Sequence, residues 1–173
     1  MAGRDHKGLK AGDAGARINY PEVMSRTDRD TSRFDRQGRH WSRVRVYYED
    51  TDFTGMVYHA NYLRYFERGR SDFLREAGVS HTTLLERDDP AAFTIVRAEI
   101  DYRAAARIDD ELDIITSYRG TQGARILFSQ ECRRGDEVIA AAQIIAVQIH
   151  ADGRPRRPIR EITERLQPLI PPG

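Results

Sequence analysis

The residues of this chain whose types and spacing could do chemistry are concentrated in one short stretch, YYEDTDFTGMVYHANY, residues 47–62. It contains three acidic side chains, Glu49, Asp50 and Asp52, and a histidine, His59. A carboxylate can attack a carbonyl carbon, activate water, bind a metal ion or cap a helix. The elements around the stretch, and the rest of the chain, have to decide between these chemistries.

The acidic residues lie between a predicted strand and a predicted helix. The segment RVRVYY, residues 43–48, alternates polar and apolar side chains, which predicts a strand. From about residue 57 to residue 77, apolar residues recur at three- and four-residue spacing, which predicts a long amphipathic helix that ends at Gly78. Gly69 falls on the apolar face of this helix, so we expect that face to pack closely on a sheet. The acids therefore precede a helix N-terminus, where backbone N–H groups lack partners.

Strand-like segments fill most of the remaining chain, followed by a short helix in IREITERLQP. Consecutive strands joined by short turns predict an antiparallel meander, and the long helix then lies across it in an α+β domain. A five-stranded sheet with one helix leaves an edge or a face uncovered, which predicts a homo-oligomer. The last strand is apolar on both faces, as in a central strand covered on both sides. The four segments are residues 93–102, 111–118, 124–133 and 138–150.

The composition argues against several classes of protein. The 28 basic and 27 acidic residues nearly cancel, so we predict no nucleic-acid partner. No apolar run approaches the ~18–20 residues of a spanning helix and the start lacks a signal sequence, so we predict a cytoplasmic protein without a membrane span. The single cysteine, Cys132, excludes an internal disulfide and is predicted to be a small buried strand residue. Residues 1–40 lack apolar periodicity and are predicted to be a disordered extension, with the folded domain in residues 41–173.

Several interpretations of the acidic loop are open. DTDFT matches the Asp-x-Asp-x-Thr nucleophile motif of haloacid-dehalogenase-like phosphatases, but that chemistry also needs a lysine and none follows Lys10. Asp50, Asp52 and His59 could converge on a divalent ion, but no second histidine cluster supports them, and we predict no metal. The acids could also form a polar turn that caps the helix. Finally, a carboxylate beside free backbone N–H groups is a minimal hydrolytic site, because the amides can stabilise an oxyanion.

The segment RVYYEDTDFTGMVYHANYLRYFERGRSDFLREAG resembles the signature of the YbgC-type acyl-CoA thioesterases, within the 4-hydroxybenzoyl-CoA thioesterase branch of the hotdog superfamily. The resemblance extends through FTIVRAEIDYRAAARIDDELDI and covers residues 43–165. It implies a hotdog fold, in which a five-stranded antiparallel sheet wraps a long central helix. It also implies that the protein hydrolyses an acyl-CoA thioester to a free acid and coenzyme A, without a cofactor.

The same resemblance implies roles for individual residues of the motif. Asp52 corresponds to the catalytic carboxylate, acting either as nucleophile or as general base. The backbone N–H of His59 corresponds to the oxyanion donor, and Tyr58 and the His59 ring line the same catalytic pocket. This chain has Phe53 where many relatives have a small residue, so we expect Phe53 to reshape the acyl pocket. Further residues are expected to bind the substrate or shape its site: Gly55, Val57, Asn61 and Tyr62.

The partners and the rival functions follow from the same family. The substrate is expected to be an acyl-CoA, with acyl carrier protein as the alternative carrier, and the assembly a homodimer or homotetramer. One rival function is a non-catalytic hotdog module that binds acyl-CoA or acyl carrier protein. Another is a hotdog dehydratase, although the arrangement of His59 and Asp52 differs from what that reaction needs. The arginines considered for the phosphates of coenzyme A are Arg97, Arg103, Arg107 and Arg125.

Overall fold

The computed structural model of the protein describes residues 33–172. It contains seven strands, three α-helices and two single 3₁₀ turns within that range. The helices are Asn61–Glu76 (α1), His81–Leu85 (α2) and Arg160–Leu166 (α3), and the 3₁₀ turns are Tyr48–Asp50 and Gln167–Leu169. The strands are Arg33–Phe34 (β1), His40–Arg45 (β2), Ala91–Tyr102 (β3), Glu111–Gln122 (β4), Arg125–Arg134 (β5), Glu137–His150 (β6) and Pro155–Arg156 (β7).

All of the strands join one antiparallel sheet in the order β1-β2-β4-β5-β6-β3, and β7 adds to β6. The five long strands correspond to the five predicted ones, and the two-residue strands β1 and β7 extend the sheet. The predicted meander of four consecutive strands is wrong for β3, which pairs with β6 at the far edge and not with β4. The loop 103–110 carries the chain from one side of the sheet to the other. As a result, the segments before and after α1, β2 and β3, lie on opposite sides of the helix.

Helix α1 packs its apolar face on β2, β4 and β5. The closest approach is at Gly69, where an added Cβ would lie 2.6 Å from Ile114 Cγ2 and 3.1 Å from Thr116 Oγ1. The expectation that Gly69 permits close packing on the sheet is therefore confirmed. The buried residues of the helix are Asn61, Tyr62, Tyr65, Phe66, Gly69, Phe73 and Leu74.

The boundaries of two predicted elements differ because backbone groups bond elsewhere. The first long strand ends at Arg45, since the Val46 N–H donates to the Asp110 carbonyl (2.9 Å) and the chain then enters the 3₁₀ turn. Helix α1 starts at Asn61 and not near Val57, because the Val57 N–H donates to the Ala106 carbonyl (2.9 Å). The residues just before the helix are thus held by neighbouring loops.

Strand β6 lies between β5 and β3, and its inward side chains are buried. Its outward residues Gln143 and Ile145 are not buried, so the strand is not covered on both faces as predicted. Cys132 on β5 is buried and free, as predicted, and burial raises the pKa of its thiol to about 12. No helix within the described range is long and apolar enough to cross a membrane.

The N-terminal part of the fold begins earlier than residue 41. Strand β1 pairs with β2. The ring of Phe34 packs edge-on against the rings of His40 and Phe73, with ring centroids 5.2 Å apart in both pairs. His40 is fully buried. The structure therefore includes residues 33–40 in the domain, while the rest of the predicted extension, residues 1–32, lies outside the described residues.

The close contact at Gly69 predicts that Gly69→Ala destabilises the protein. Alanine is favoured over glycine in a helix by about 1 kcal/mol. However, the added methyl would overlap the Ile114 methyl, and overpacking of this kind costs about 1–3 kcal/mol. We expect the free energy of unfolding, measured with urea, to fall. Arg68→Ala on the exposed face of the same helix is the control, with a change within about 0.5 kcal/mol. A Gly69→Ala variant more stable than wild type would contradict the packing described.

Candidate active site

Asp50 and Asp52 lie two residues apart but do different things. Asp50 is buried, and its carboxylate accepts the Tyr47 N–H at 2.8 Å, which closes its own 3₁₀ turn. Its backbone carbonyl accepts two further donors, the Tyr58 N–H (2.9 Å) and the Asn61 side-chain amide (2.7 Å). Asp50 therefore ties the loop to the start of α1. It does not cap the helix, because Ala60 occupies the N-cap position and no side chain caps it.

Asp52 is exposed, and one of its carboxylate oxygens is held in place by Thr54. Asp52 Oδ1 accepts the Thr54 N–H at 2.8 Å and the Thr54 hydroxyl at 2.5 Å. These hydrogen bonds, the hydroxyl first and the N–H second, hold the pKa of Asp52 below its usual value, and the nearby His59 lowers it further. The side chain is therefore a carboxylate at neutral pH, with Oδ2 unengaged by any described residue.

A tight turn presents this carboxylate. The Gly55 N–H donates to the Asp52 carbonyl and the Asp52 N–H to the Met56 carbonyl, both at 2.9 Å. Gly55 has φ = 72°, and an added Cβ would meet no atom within 4 Å. The glycine is thus needed for the left-handed backbone of the turn, and not for close approach of another group. Phe53 extends fully into solvent from the same turn and does not fill a pocket within this chain.

The start of α1 presents backbone donors beside Asp52. The N–H groups of His59 and Ala60 have no acceptor among residues 33–172, whereas the N–H groups of Tyr58 and Asn61 on either side are bonded. The Tyr102 hydroxyl donates to the His59 carbonyl at 3.0 Å and so fixes this first turn from the end of β3. Two free, oriented donors next to a carboxylate can stabilise a developing oxyanion.

The remaining predicted site residues surround this point in different ways. The ring of Tyr58 lies 4.5 Å from that of His59, and both side chains are exposed. Val57, Asn61 and Tyr62 are buried. The Tyr62 hydroxyl accepts the Ala106 N–H at 3.3 Å. In this chain these three residues hold the loops together and do not line open space.

Residues that the sequence analysis missed are also part of the site. Thr54 fixes the Asp52 carboxylate, Tyr102 contacts the His59 turn, and Ala106 bonds both Val57 and Tyr62. Thr54 could have been found, since a threonine two residues after an aspartate commonly bonds its side chain. Tyr102 and Ala106 are more than 40 residues away, and no local spacing could have indicated them. Within the described range, no group of three His, Cys, Asp or Glu side chains could hold a metal ion.

A family model described as the thioesterase-like superfamily matches residues 46–168. The chain belongs to this superfamily. It is 45% identical over 101 residues to the acyl-CoA thioesterase YbgC of Haemophilus influenzae, covering 58% of this chain and 74% of the relative. It is 36% identical over 105 residues to the acyl-CoA thioester hydrolase YbgC of Escherichia coli O6:H1, covering 60% of this chain and 77% of the relative.

Solved structures agree with these relatives. The chain superposes on a probable thioesterase from Bartonella henselae with a TM-score of 0.67 and 40% identity, covering 69% of this chain and 98% of that one. The predicted YbgC-type thioesterase and its hotdog fold are confirmed, and with them the enzyme class, thioester hydrolase.

The two-donor arrangement at the Asp50 carbonyl predicts the effect of changing Asn61. Asn61→Asp keeps the size of the side chain but replaces the donating amide by an acceptor that faces the Asp50 carbonyl. We expect the free energy of unfolding to fall by about 1–3 kcal/mol, because a buried polar group is left unsatisfied. Asn61→Ala is the matched control and should cost less, since it removes the bond without adding repulsion. Urea denaturation measures both, and equal stabilities of the two variants would contradict this assignment.

Proposed function

We propose that this chain hydrolyses acyl-CoA thioesters and that Asp52 is its catalytic carboxylate. The observation that carries the proposal is the ionised Asp52 beside the free N–H groups of His59 and Ala60. The names of the YbgC relatives support acyl-CoA as the substrate. Because coenzyme A thioesters are cytoplasmic metabolites, we also propose a cytoplasmic location.

Asp52 and the backbone amides of His59 and Ala60 are sufficient for two routes of thioester hydrolysis. In this proposal the thioester oxygen accepts hydrogen bonds from the His59 and Ala60 amides. These bonds stabilise the negative charge that develops on the oxygen when the carbonyl carbon is attacked. In the nucleophilic route, Asp52 Oδ2 forms the new C–O bond, the C–S bond breaks, and water then hydrolyses the anhydride. In the general-base route, Oδ2 removes a proton from water, which attacks directly. In both routes the C–S bond breaks, and the thiolate leaves and takes up a proton from water.

We propose that two of the four candidate arginines contact the phosphates of coenzyme A. Arg97 pairs with Glu99 on its own strand. Arg125 is the first residue of β5, a strand about 30 Å long, and lies at the end of the sheet away from Asp52. Arg103 and Arg107 lie exposed in the loop after β3, and Met56 of the Asp52 loop bridges to Arg107. We therefore assign the phosphate contacts to Arg103 and Arg107.

The proposed assembly is a homo-oligomer that covers the edge of β3. This strand is 12 residues long and pairs only with β6 among the described strands. Ile95, Val96 and Tyr102 on it are 43%, 56% and 49% exposed. A long, apolar and unpaired edge is a surface that folded proteins usually cover.

Asp52→Asn is the direct test of the catalytic assignment. Removing a positioned acid or base commonly costs about 10²–10⁴ in rate. We expect thiol release from acyl-CoAs, followed with a thiol reagent, to fall by that amount at equal folded concentration. Glu49→Gln, an exposed neighbouring acid, should retain wild-type activity. If Asp52→Asn hydrolyses as fast as wild type, the catalytic assignment of Asp52 is wrong. If wild type binds acyl-CoA without cleaving it, the chain is a binding module.

Val96→Arg tests the proposed interface. A charge placed on the β3 edge should lower the molecular mass measured by light scattering, because burying an unpaired guanidinium is costly. Val96→Thr keeps the branched shape without the charge and should preserve the assembly. A wild type that is monomeric at micromolar concentration would contradict the proposal.

A further inference from the structure

One flank of α1 faces strand β3. Leu63, Glu67, Arg70 and Leu74 follow one another at three- and four-residue spacing, so they share this flank. Leu63 is exposed at its first turn. The flank therefore begins about one turn beyond His59, at the proposed reaction centre, and follows the helix away from it.

Strand β3 runs opposite this flank. At the reaction end, the Tyr102 hydroxyl donates to the His59 carbonyl at 3.0 Å. At the other end, Phe93 and Ile95 face Arg70 across a cavity of about 120 Å³. Beside β3, the small residue Ala146 of β6 also lines this cavity.

The cavity has an apolar part and a polar part. Leu74, Phe93 and Ile95 are among its apolar lining residues, and Glu67, Arg70 and His81 are among its polar ones. Arg70 is half-buried. The apolar part suits the end of an acyl chain, and the cation beside it requires a further explanation.

Arg70 has a neutral partner and no ion pair with an acid in residues 33–172. Its Nη1 donates to Gln130 Oε1 at 2.7 Å. The Gln130 amide is itself committed, donating to the Phe66 carbonyl (2.9 Å) and to Thr116 Oγ1 (2.8 Å). Burial lowers the pKa of Arg70, with Glu67 acting in the opposite direction. A guanidinium has five N–H donors, so most of those on Arg70 are available to a ligand.

Glu67 and His81 are the other titratable groups at the cavity, and they shape which ligand fits. The Glu67 carboxylate accepts the Ser71 hydroxyl at 2.7 Å on the exposed rim, and so does not neutralise Arg70 directly. His81 lies edge-on to Phe93, with ring centres 5.7 Å apart. A ligand group that accepts hydrogen bonds satisfies Arg70, and a hydroxyl group can also donate to Glu67.

The distance suits an acyl chain of medium length. Asn61, the first residue of α1, and Arg70 are nine residues apart, which is about 14 Å of helical rise between their Cα atoms, and His59 lies two residues before Asn61. Helical side chains point back toward the N-terminus, so the Arg70 guanidinium lies closer to the reaction centre than its Cα.

We propose that this cavity receives the far end of the acyl chain and that Arg70 selects acyl groups bearing an oxygen acceptor there, a hydroxyl or a carboxylate. The proposal rests on the proposed thioesterase function. It makes Arg70 a specificity-determining residue that contacts the substrate far from the bond that is broken.

The test compares kcat/KM for three coenzyme A thioesters of equal chain length: octanoyl, 8-hydroxyoctanoyl and suberoyl. Wild type should favour at least one oxygenated chain over octanoyl by about tenfold or more, since a site built to bond an oxygen discriminates strongly against its absence. Arg70→Met keeps the apolar stem of the side chain and should abolish that preference. Arg68→Met, on the exposed side of the same helix, should retain it. Equal preferences in wild type and Arg70→Met overturn the proposal.

Binding of the same three thioesters to Asp52→Asn, measured by calorimetry, separates this inference from the proposed function. A preference for oxygenated chains that is lost in the Asp52→Asn, Arg70→Met double variant supports the role of Arg70, whatever the catalytic rate. If Asp52→Asn binds the three thioesters equally well, the role proposed for Arg70 is wrong, even if wild type hydrolyses them. Light scattering tests the alternative that Arg70 pairs with an acidic side chain of a second copy of this chain. If Arg70→Met dissociates the assembly, Arg70 belongs to the subunit interface and the proposal is wrong.

Discussion

The candidate site depends on one backbone carbonyl, that of Asp50, which accepts both the Tyr58 N–H and the Asn61 side-chain amide. These two bonds decide which donors at the start of α1 are used and which are left. With Tyr58 bonded to the loop and Asn61 bonded to the Tyr58 carbonyl, only His59 and Ala60 retain free N–H groups in the turn between them. An exposed helix start would offer free donors in many directions, whereas here the loop leaves two that lie next to Asp52.

The crossing of the chain between β3 and β4 is the second constraint. It places β3 at the far edge of the sheet, so the end of this strand lies beside the start of α1 and Tyr102 can bond the His59 carbonyl. It also separates β3 from β2 by the three strands β4, β5 and β6. The cavity between α1 and β3 lies on this side of the sheet, and Ala146, which β6 turns inward, leaves room in its lining.

Local patterns were sufficient for much of this structure. Side-chain periodicity predicted the apolar face of α1, the close approach at Gly69 and the five long strands. This works because the side chains that face between helix and sheet are the buried ones. The roles proposed for Asp52 and His59 came from the resemblance of their segment to a family signature, and not from periodicity. Which edge β3 occupies could not be found in this way, since its alternation is the same in either position. The contacts of Tyr102 and Ala106 depend on that choice and were missed with it.

The two aspartates of the loop show why residue type alone could not assign their roles. Asp50 is buried with its carboxylate on a backbone N–H, and its bonds serve the loop. Asp52 has one oxygen on Thr54 and stays exposed and ionised, with the other oxygen open. An acid that must react needs a fixed orientation and access to the substrate, and Asp52 has both, whereas Asp50 is buried. The turn from Asp52 to Gly55 produces this difference, because it brings the Thr54 N–H and hydroxyl to the Asp52 carboxylate while the side chain stays exposed. The chemistry of the motif is thus set by the backbone around each acid as much as by the acids themselves.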